Sequence, residues 1–170
     1  MTSHLFGPIT QLGYLTDDIE ATARLWTDTS GIGPWTRMRS VTLEATMDGQ
    51  PSEIMIDVAL AYKGDMQIEL IKPLNEAPSP YLDNMRAGLW GLHHVQFTTE
   101  DMDAALAQAR QAGLDVACTI DQGGGIYTYL RGHGVWFELM QAGEGLLGFF
   151  EMIKGARDGW DGEELIRDMG

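Results

Sequence analysis

The sequence predicts an α+β domain made of two tandem βαβββ modules, followed by a helical segment at the C-terminus. Two observations support this prediction. Segments 11–21 and 94–104 read alike and lie 83 residues apart in a chain of 170 residues. Each also precedes one amphipathic helical stretch and three strand-like stretches. We therefore expect a first module at 1–74, a linker at 75–90, a second module at 91–142 and a helical tail at 143–170, all in one compact domain.

Each module opens with a short strand-like run that two acidic residues close. Asp18 and Asp101 stand at the N-cap position of the helix that follows, where a carboxylate accepts free backbone N–H groups. Apolar residues then recur at helical spacing until a glycine, Gly31 or Gly113, which predicts the end of each helix.

Three strand candidates follow each predicted helix. They lie at 38–47, 54–62 and 65–72 in the first module, and at 114–120, 126–130 and 135–141 in the second. Glycine-containing turns separate them, including Gly123–Gly125, which leads into a strand and lacks the lysine of a phosphate-binding loop. The matched residues on the first and last strands are separated by more residues in the first module than in the second. The first module is therefore expected to contain an insertion near residues 34–53.

The remaining segments lie outside the repeat. Residues 73–80 contain three prolines and predict a stiff connection between the modules. Residues 146–153 are strongly apolar at helical length, so they are expected to cover a cleft, pack in the core or form a dimer interface.

Composition excludes several classes of partner. The chain carries 25 acidic and 11 basic residues, a net charge of −14, which disfavours nucleic acid and anionic membranes. Its single cysteine, Cys118, permits no disulfide within the chain and is expected to be buried. No apolar run reaches membrane-spanning length, and residues 1–8 lack the pattern of a signal peptide. A cytoplasmic location is therefore expected.

Four polar residues occupy matched places in the repeat. Gln11 and His94 stand on the first strand of each module, and Glu69 and Glu138 stand on the last. Alternate residues of a strand share a face, so one inward residue from each strand can converge on one point. An imidazole, an amide oxygen and two carboxylates suit a divalent ion.

The paired module with these four residues resembles the vicinal-oxygen-chelate superfamily, which includes glyoxalase I, methylmalonyl-CoA epimerase, bleomycin resistance proteins and extradiol dioxygenases. The resemblance implies a glyoxalase-like fold and one divalent metal ion (zinc, nickel, cobalt or manganese) held by Gln11, Glu69, His94 and Glu138. It implies a lyase or isomerase that removes a proton next to the carbonyl of a small molecule through a metal-stabilised enediolate. Glu138 would be the base and Glu69 a second base, and the chain would form a homodimer.

Several alternatives remain open at this point. Each glutamate lies between apolar residues and would face solvent in an ordinary half-buried strand. His93 and His94 face opposite sides of one strand, so only one can reach the site, and the repeat favours His94, leaving His93 outside the cavity or at an interface. An extradiol dioxygenase needs two histidines and one carboxylate, and Gln11 stands where the first histidine is expected. A metal-free protein that binds a drug, of the bleomycin-resistance type, is the other alternative.

Overall fold

The structure is a computed structural model that describes residues 4–169. Residues 1–3 and 170, which belong to the predicted first module and tail, lie outside the described residues. Within 4–169, no helix combines the length and the apolar character that crossing a membrane requires.

Both halves of the chain follow the same order of elements. The first half contains β1 (Ile9–Leu15), α1 (Ile19–Ser30), β2 (Trp35–Met47), β3 (Gln50–Lys63) and β4 (Met66–Pro73). A short helix α2 (Leu82–Arg86) precedes the second half, which contains β5 (Gly91–Thr98), α3 (Met102–Gln111), β6 (Val116–Gln122), β7 (Gly125–Arg131) and β8 (Trp136–Ala142). Helix α4 (Glu144–Gly155) and strand β9 (Ile166–Met169) complete the chain. The predicted α+β fold class is confirmed.

Helices α1 and α3 begin at the aspartates that the repeat identified. The Asp18 carboxylate accepts a hydrogen bond from the Ala21 amide at 3.0 Å, and Asp101 accepts one from the Ala104 amide at 2.9 Å. Helix α1 ends at Gly31, whose φ of 63° is a left-handed conformation that glycine adopts at low cost.

The strands form one strongly curved sheet that closes into an eight-stranded barrel. Its order is β3-β4-β1-β5-β8-β7-β6-β2, and the pairing of β2 with β3 completes the circle. The two modules meet where β1 pairs antiparallel with β5 and where β2 pairs antiparallel with β6. Inward-facing side chains of both modules therefore surround a single interior.

The first module is longer because its central hairpin is longer. Strands β2 and β3 span 13 and 14 residues, whereas their counterparts β6 and β7 span 7 each. Only Ala45–Met47 at the end of β2 pair with β6, so the rest of that edge is free for another strand. The insertion predicted near residues 34–53 lies in this hairpin.

The tail predicted as helical at 143–170 is only partly helical. Helix α4 ends at Gly155, and β9 then pairs in parallel with Trp35–Met38, on the edge of β2 that β6 leaves open. Arg37 binds both carboxylate oxygens of Asp168, at 2.6 and 2.9 Å. The sequence prediction missed β9 because four residues are too short to show an alternating pattern.

Apolar clusters lie on both sides of the barrel wall. Helix α1 packs outside against β3 and β4, burying Ala23 and Leu70 completely, and α3 packs against β7 and β8 with Ala109 and Leu130 equally buried. A third cluster fills part of the interior and includes the buried thiol of Cys118, as the sequence predicted. The open remainder of the interior is the candidate site.

Candidate active site

The four matched residues come together on the inner face of the barrel, where the two modules meet. Gln11 lies beside Gln67 on β4 and Gln96 on β5. Gly13 lies between Glu69 and His94, and Glu138 lies opposite Gln96. The pairing of β1 with β5 thus joins one half-site from each module within a single chain.

The His94 ring is the centre of this cluster. Its Nε2 lies 2.9 Å from Oε1 of Gln11, 3.3 Å from Oε2 of Glu69 and 3.8 Å from Oε2 of Glu138. The imidazole is completely buried, Glu138 is 4% exposed at its side chain and Glu69 is 17% exposed. The two carboxylates therefore face the protein interior, and the solvent-facing interpretation of these strands is wrong.

A chain of amide hydrogen bonds orients Gln11. Its Nε2 donates to Oε1 of Gln67 at 2.6 Å, and Gln67 in turn donates to the Tyr62 hydroxyl at 2.8 Å. Gln96 donates to Oε1 of Gln11 at 3.2 Å and to Oε1 of Glu138 at 2.6 Å. With its NH₂ group engaged by Gln67, Gln11 presents its oxygen to His94.

Gly13 makes room for the His94 ring. A Cβ atom built at Gly13 would lie 1.9 Å from Cε1 of His94, which is far inside van der Waals contact. Any side chain at this position would displace the imidazole, so the site requires glycine two residues after Gln11.

His93 lies behind His94 and determines which of its nitrogens carries a hydrogen. Nε2 of His93 lies 2.9 Å from the Pro80 carbonyl, which only accepts, so this nitrogen carries hydrogen. Burial, reinforced by the charge of His94, lowers the pKa of His93 to about 3, so the ring is neutral and its Nδ1 is a bare acceptor. Nδ1 of His94, 3.1 Å away, therefore donates to it, and Nε2 of His94 is the nitrogen available to a ligand.

The pKa values of His94 and Glu138 are both raised. Burial would lower the pKa of His94, but the charge of Glu138 and the hydrogen bond and charge of Glu69 outweigh it. Burial raises the pKa of Glu138, with a further contribution from the charge of Glu69, and the charge of His94 opposes both. The cluster thus holds protons tightly in the absence of a cation.

The donor set fits a divalent cation. Four donors about 2.1 Å from a shared ion in a tetrahedron lie about 3.4 Å from one another, and the three distances from Nε2 of His94 span that value. Two carboxylates would balance the charge of such an ion. Within residues 4–169, no three His, Cys, Asp or Glu side chains are already spaced as a ready coordination shell, and the present contacts form a hydrogen-bonded cluster.

A cavity of about 320 Å³ opens from this cluster into the barrel. Gln11, Glu69, Gln96 and Glu138 line its polar end. The rest of the wall is aliphatic and aromatic and comes mainly from β2, β3, β6, β7 and α4. His93 does not line this cavity, as the sequence predicted, and it is buried beside His94. The His94 ring is also too deeply buried to line the cavity, and it contacts the lining residues Gln11 and Glu69 from behind the cavity surface.

Helix α4 covers the cavity with one of its faces. Leu146, Phe149 and Phe150 line the cavity, whereas Leu147 and Met152 are about half exposed on the other side of the helix. Gly143, the N-cap, donates its amide to the carbonyl of Gly124 in the turn between β6 and β7 at 2.8 Å. Of the three roles expected for segment 146–153, the structure shows two: the segment covers the cleft, and its last residue, Ile153, is buried in the core.

Sequence reasoning missed the residues that support the four matched ones. Gln96 and Gln67 each lie two residues from a matched residue, on the same inner face, and a buried amide on a strand is the signal that was available. Gly13 stands at the same repeat position as Gln96, so the repeat itself marks it. The contact between His93 and the Pro80 carbonyl joins residues that are 13 positions apart, and no local sequence pattern predicts it.

The comparisons with known proteins agree with this architecture. Residues 10–130 match the family model of the Glyoxalase/Bleomycin resistance protein/Dioxygenase superfamily, and the chain belongs to this superfamily. No curated protein matches the sequence significantly.

Solved structures share the fold at low sequence identity. A methylmalonyl-CoA epimerase variant from Streptomyces coelicolor, in complex with 2-nitronate-propionyl-CoA, is 23% identical with a TM-score of 0.57, over 82% of this chain and 97% of that one. The methylmalonyl-CoA epimerase from Mycobacterium tuberculosis is 16% identical with a TM-score of 0.59, over 87% and 96%. A hypothetical protein from Bacillus halodurans is 16% identical with a TM-score of 0.59, over 81% and 95%.

Proposed function

We propose that this chain is a metal-dependent isomerase or lyase that removes a proton from the carbon next to a carbonyl group. The observation that carries the proposal is the convergence of Gln11, Glu69, His94 and Glu138 at the polar end of the cavity in the barrel. A divalent ion held by these residues would supply a Lewis acid for the carbonyl oxygen of the substrate.

The two carboxylates are the candidate bases. Glu138 is positioned by the hydrogen bond from Gln96, and its raised pKa is closer to neutrality than that of an exposed carboxylate, as a proton acceptor requires. Glu69 also lines the cavity and contacts His94 from β4, across the intervening strand β1. One base is enough for a lyase, while an epimerase needs a proton donor on the opposite face of the carbon, a role available to Glu69.

The cavity walls support this chemistry by limiting contact with water. A carbanion-like intermediate formed in a wet site would be reprotonated by solvent, and the apolar wall and helix α4 reduce the access of bulk water to the polar end. The charge on the substrate oxygen is also stabilised more strongly where the surroundings are apolar.

One observation favours a second function, a metal-free binding protein. Most of the cavity wall is apolar, which suits sequestration of a hydrophobic compound as well as catalysis. The extradiol dioxygenase alternative loses support because His93 bonds to Pro80 and leaves His94 as the one histidine, within residues 4–169, at the cluster.

The homodimer stays a prediction from the resemblance. The sequence argument for it was the apolar segment 146–153, and the structure covers half of that segment with the barrel. The exposed side chains Leu147 and Met152 are the part of that argument that remains.

Metal content decides between the two functions. We expect about one zinc, nickel, cobalt or manganese ion per chain in protein purified without chelator or affinity-column metal, measured by elemental analysis. Glu138→Gln should lower that content to less than a tenth, because it removes a charged ligand. Glu44→Gln, an exposed carboxylate on β2, is the matched control and should retain the metal.

A chain that takes up none of these metals on titration would contradict the enzyme proposal and favour the binding protein. If metal is bound, exchange of the α-proton of a carbonyl compound for deuterium, followed by NMR, tests the reaction itself.

A further inference from the structure

We infer that the cavity takes an uncharged, largely apolar carbonyl compound, whose carbonyl end reaches the Gln11–Glu138 cluster. This inference rests on the proposed function, because it names the substrate class of the same site. Its basis is the contrast between one polar end and a wall that is mostly apolar and contains no cationic side chain.

The wall is made of apolar side chains from both modules and from helix α4. It includes Leu43, Val58, Leu60, Ile120, Phe149 and Phe150. Burying an apolar ligand surface against such a wall stabilises the complex, because that surface is removed from water. An anionic group there would lose its hydration without gaining a cationic partner.

No lysine or arginine lines the cavity, and all eleven of them fall within residues 4–169. Several are engaged elsewhere on the surface: Arg37 with Asp168, Arg131 with Asp48, and Lys154 with Asp65. Such cations are the side chains that commonly bind the phosphates of a CoA thioester and the carboxylates of a glutathione adduct.

Two acidic residues stand close in sequence to exposed residues of the cavity lining. Exposed lining residues Gly123 and Gly145 mark where the cavity meets the surface. Their neighbours Asp121 and Glu144 are exposed carboxylates, and the whole chain has a net charge of −14. The net charge of the chain disfavours an anionic portion of the ligand left outside the opening.

The volume sets the size of the ligand. The volume of about 320 Å³ lies at the small end of the range of about 300–1,000 Å³ that ligand pockets span. That space suits a compound on the order of ten to fifteen non-hydrogen atoms, such as an aryl or medium-chain alkyl ketone.

Isothermal titration calorimetry with two probes tests the inference. The probes are 1-phenylpropane-1,2-dione, which is uncharged and apolar with two neighbouring oxygens, and acetyl-CoA. Each is titrated into zinc-loaded protein and into EDTA-treated protein. We expect the dione to bind both forms, because the wall contributes without the metal, and to bind at least tenfold more tightly than acetyl-CoA.

A matched pair of variants locates the binding. Leu43→Trp places a large side chain in the cavity and should raise the Kd of the dione at least tenfold. Thr42→Trp puts the same side chain on the exposed face of the same strand and should leave the Kd unchanged. Circular dichroism and a thermal melt of both variants verify that each is folded.

The outcomes separate this inference from the proposed function. Dione binding that is sensitive to Leu43→Trp, in protein that takes up no metal, would support the inference and overturn the metal-dependent reaction. Zinc uptake with tighter binding of acetyl-CoA than of the dione would overturn the inference and leave the reaction standing. Equal Kd values for the dione in the two tryptophan variants would also overturn the inference.

Discussion

The central histidine shows how a buried residue acquires a defined protonation pattern from its neighbours. The Pro80 carbonyl accepts from His93, His93 accepts from His94, and Nε2 of His94 is left facing three oxygens. Outer contacts of this type orient a metal-binding imidazole and set its tautomer. His93 is therefore a positioning residue for His94.

Replacing His93 should weaken metal binding without unfolding the barrel. His93→Phe keeps an aromatic ring next to Trp136 and Tyr81 but removes the acceptor for Nδ1 of His94. We expect zinc affinity to fall about 10- to 100-fold, measured by competition with a chromogenic chelator. His93→Gln, whose amide oxygen can accept from His94, should recover part of the loss.

Nitrogen NMR of the imidazoles separates this positioning role from a general packing effect. In zinc-loaded wild-type protein Nδ1 of His94 should carry hydrogen and Nε2 should not. Observation of the opposite tautomer in the wild type would contradict the role assigned to His93.

At the scale of elements, the C-terminal segment continues the barrel in two ways. Helix α4 closes the cavity, and β9 extends the sheet along the part of β2 that β6 does not reach. The ion pair between Arg37 and Asp168 holds β9 in place, with Arg39 also 3.2 Å from Asp168. Hydrogen bonding to Arg37 lowers the pKa of Asp168 to about 2.

The contribution of Asp168 to stability should depend on pH. Because its pKa is lower in the folded chain than the usual 3.9 or so, the stability that it adds is present above about pH 4. It is lost as the pH falls through the folded value of about 2. Asp168→Asn should therefore lower the free energy of unfolding at neutral pH, and its difference from wild type should shrink below about pH 4.

Urea unfolding followed by circular dichroism at several pH values measures this difference. Asp158→Asn, another exposed aspartate of the same tail, is the control and should show a smaller effect at neutral pH. A difference for Asp168→Asn that persists undiminished at about pH 2 would contradict the assigned role of the ion pair.

At the scale of the whole molecule, closure of the barrel places two carboxylates and an imidazole in one interior. The pKa values of His94 and Glu138 are raised above their usual 6.5 and 4.5. Their stabilising contribution to the metal-free fold is therefore fully present below the unfolded pKa values and is lost as the pH rises through the folded values. A bound cation would replace the protons that these groups hold.

Zinc binding should accordingly release protons and strengthen with pH. We expect the affinity to rise as the pH passes through the pKa of His94, which lies above 6.5, and to level off beyond it. Calorimetric titrations in buffers with different ionisation enthalpies count the protons released. An affinity that is the same at about pH 6 and about pH 8 would contradict the proposed ligand role of His94.

The sequence determined the features that depend on local pattern and on the repeat. Capping aspartates, helical periodicity and matched strands predicted the α+β class and the order of elements, because each reflects short-range chemistry recorded in consecutive residues. The repeat also aligned Gln11 with His94 and Glu69 with Glu138, and the structure brings all four together.

Features that depend on pairing between distant parts of the chain were determined only by the tertiary structure. Three features result from contacts between segments far apart in sequence, and such contacts leave no local pattern in the sequence. They are the pairing of β2 with β6, the pairing of strand β9, and the packing of α4 over the cavity. The same holds for the contact between Pro80 and His93, for the space that Gly13 leaves to His94, and for a wall without cations. The sequence therefore predicted the polar cluster, and the fold determined the apolar cavity in which it lies.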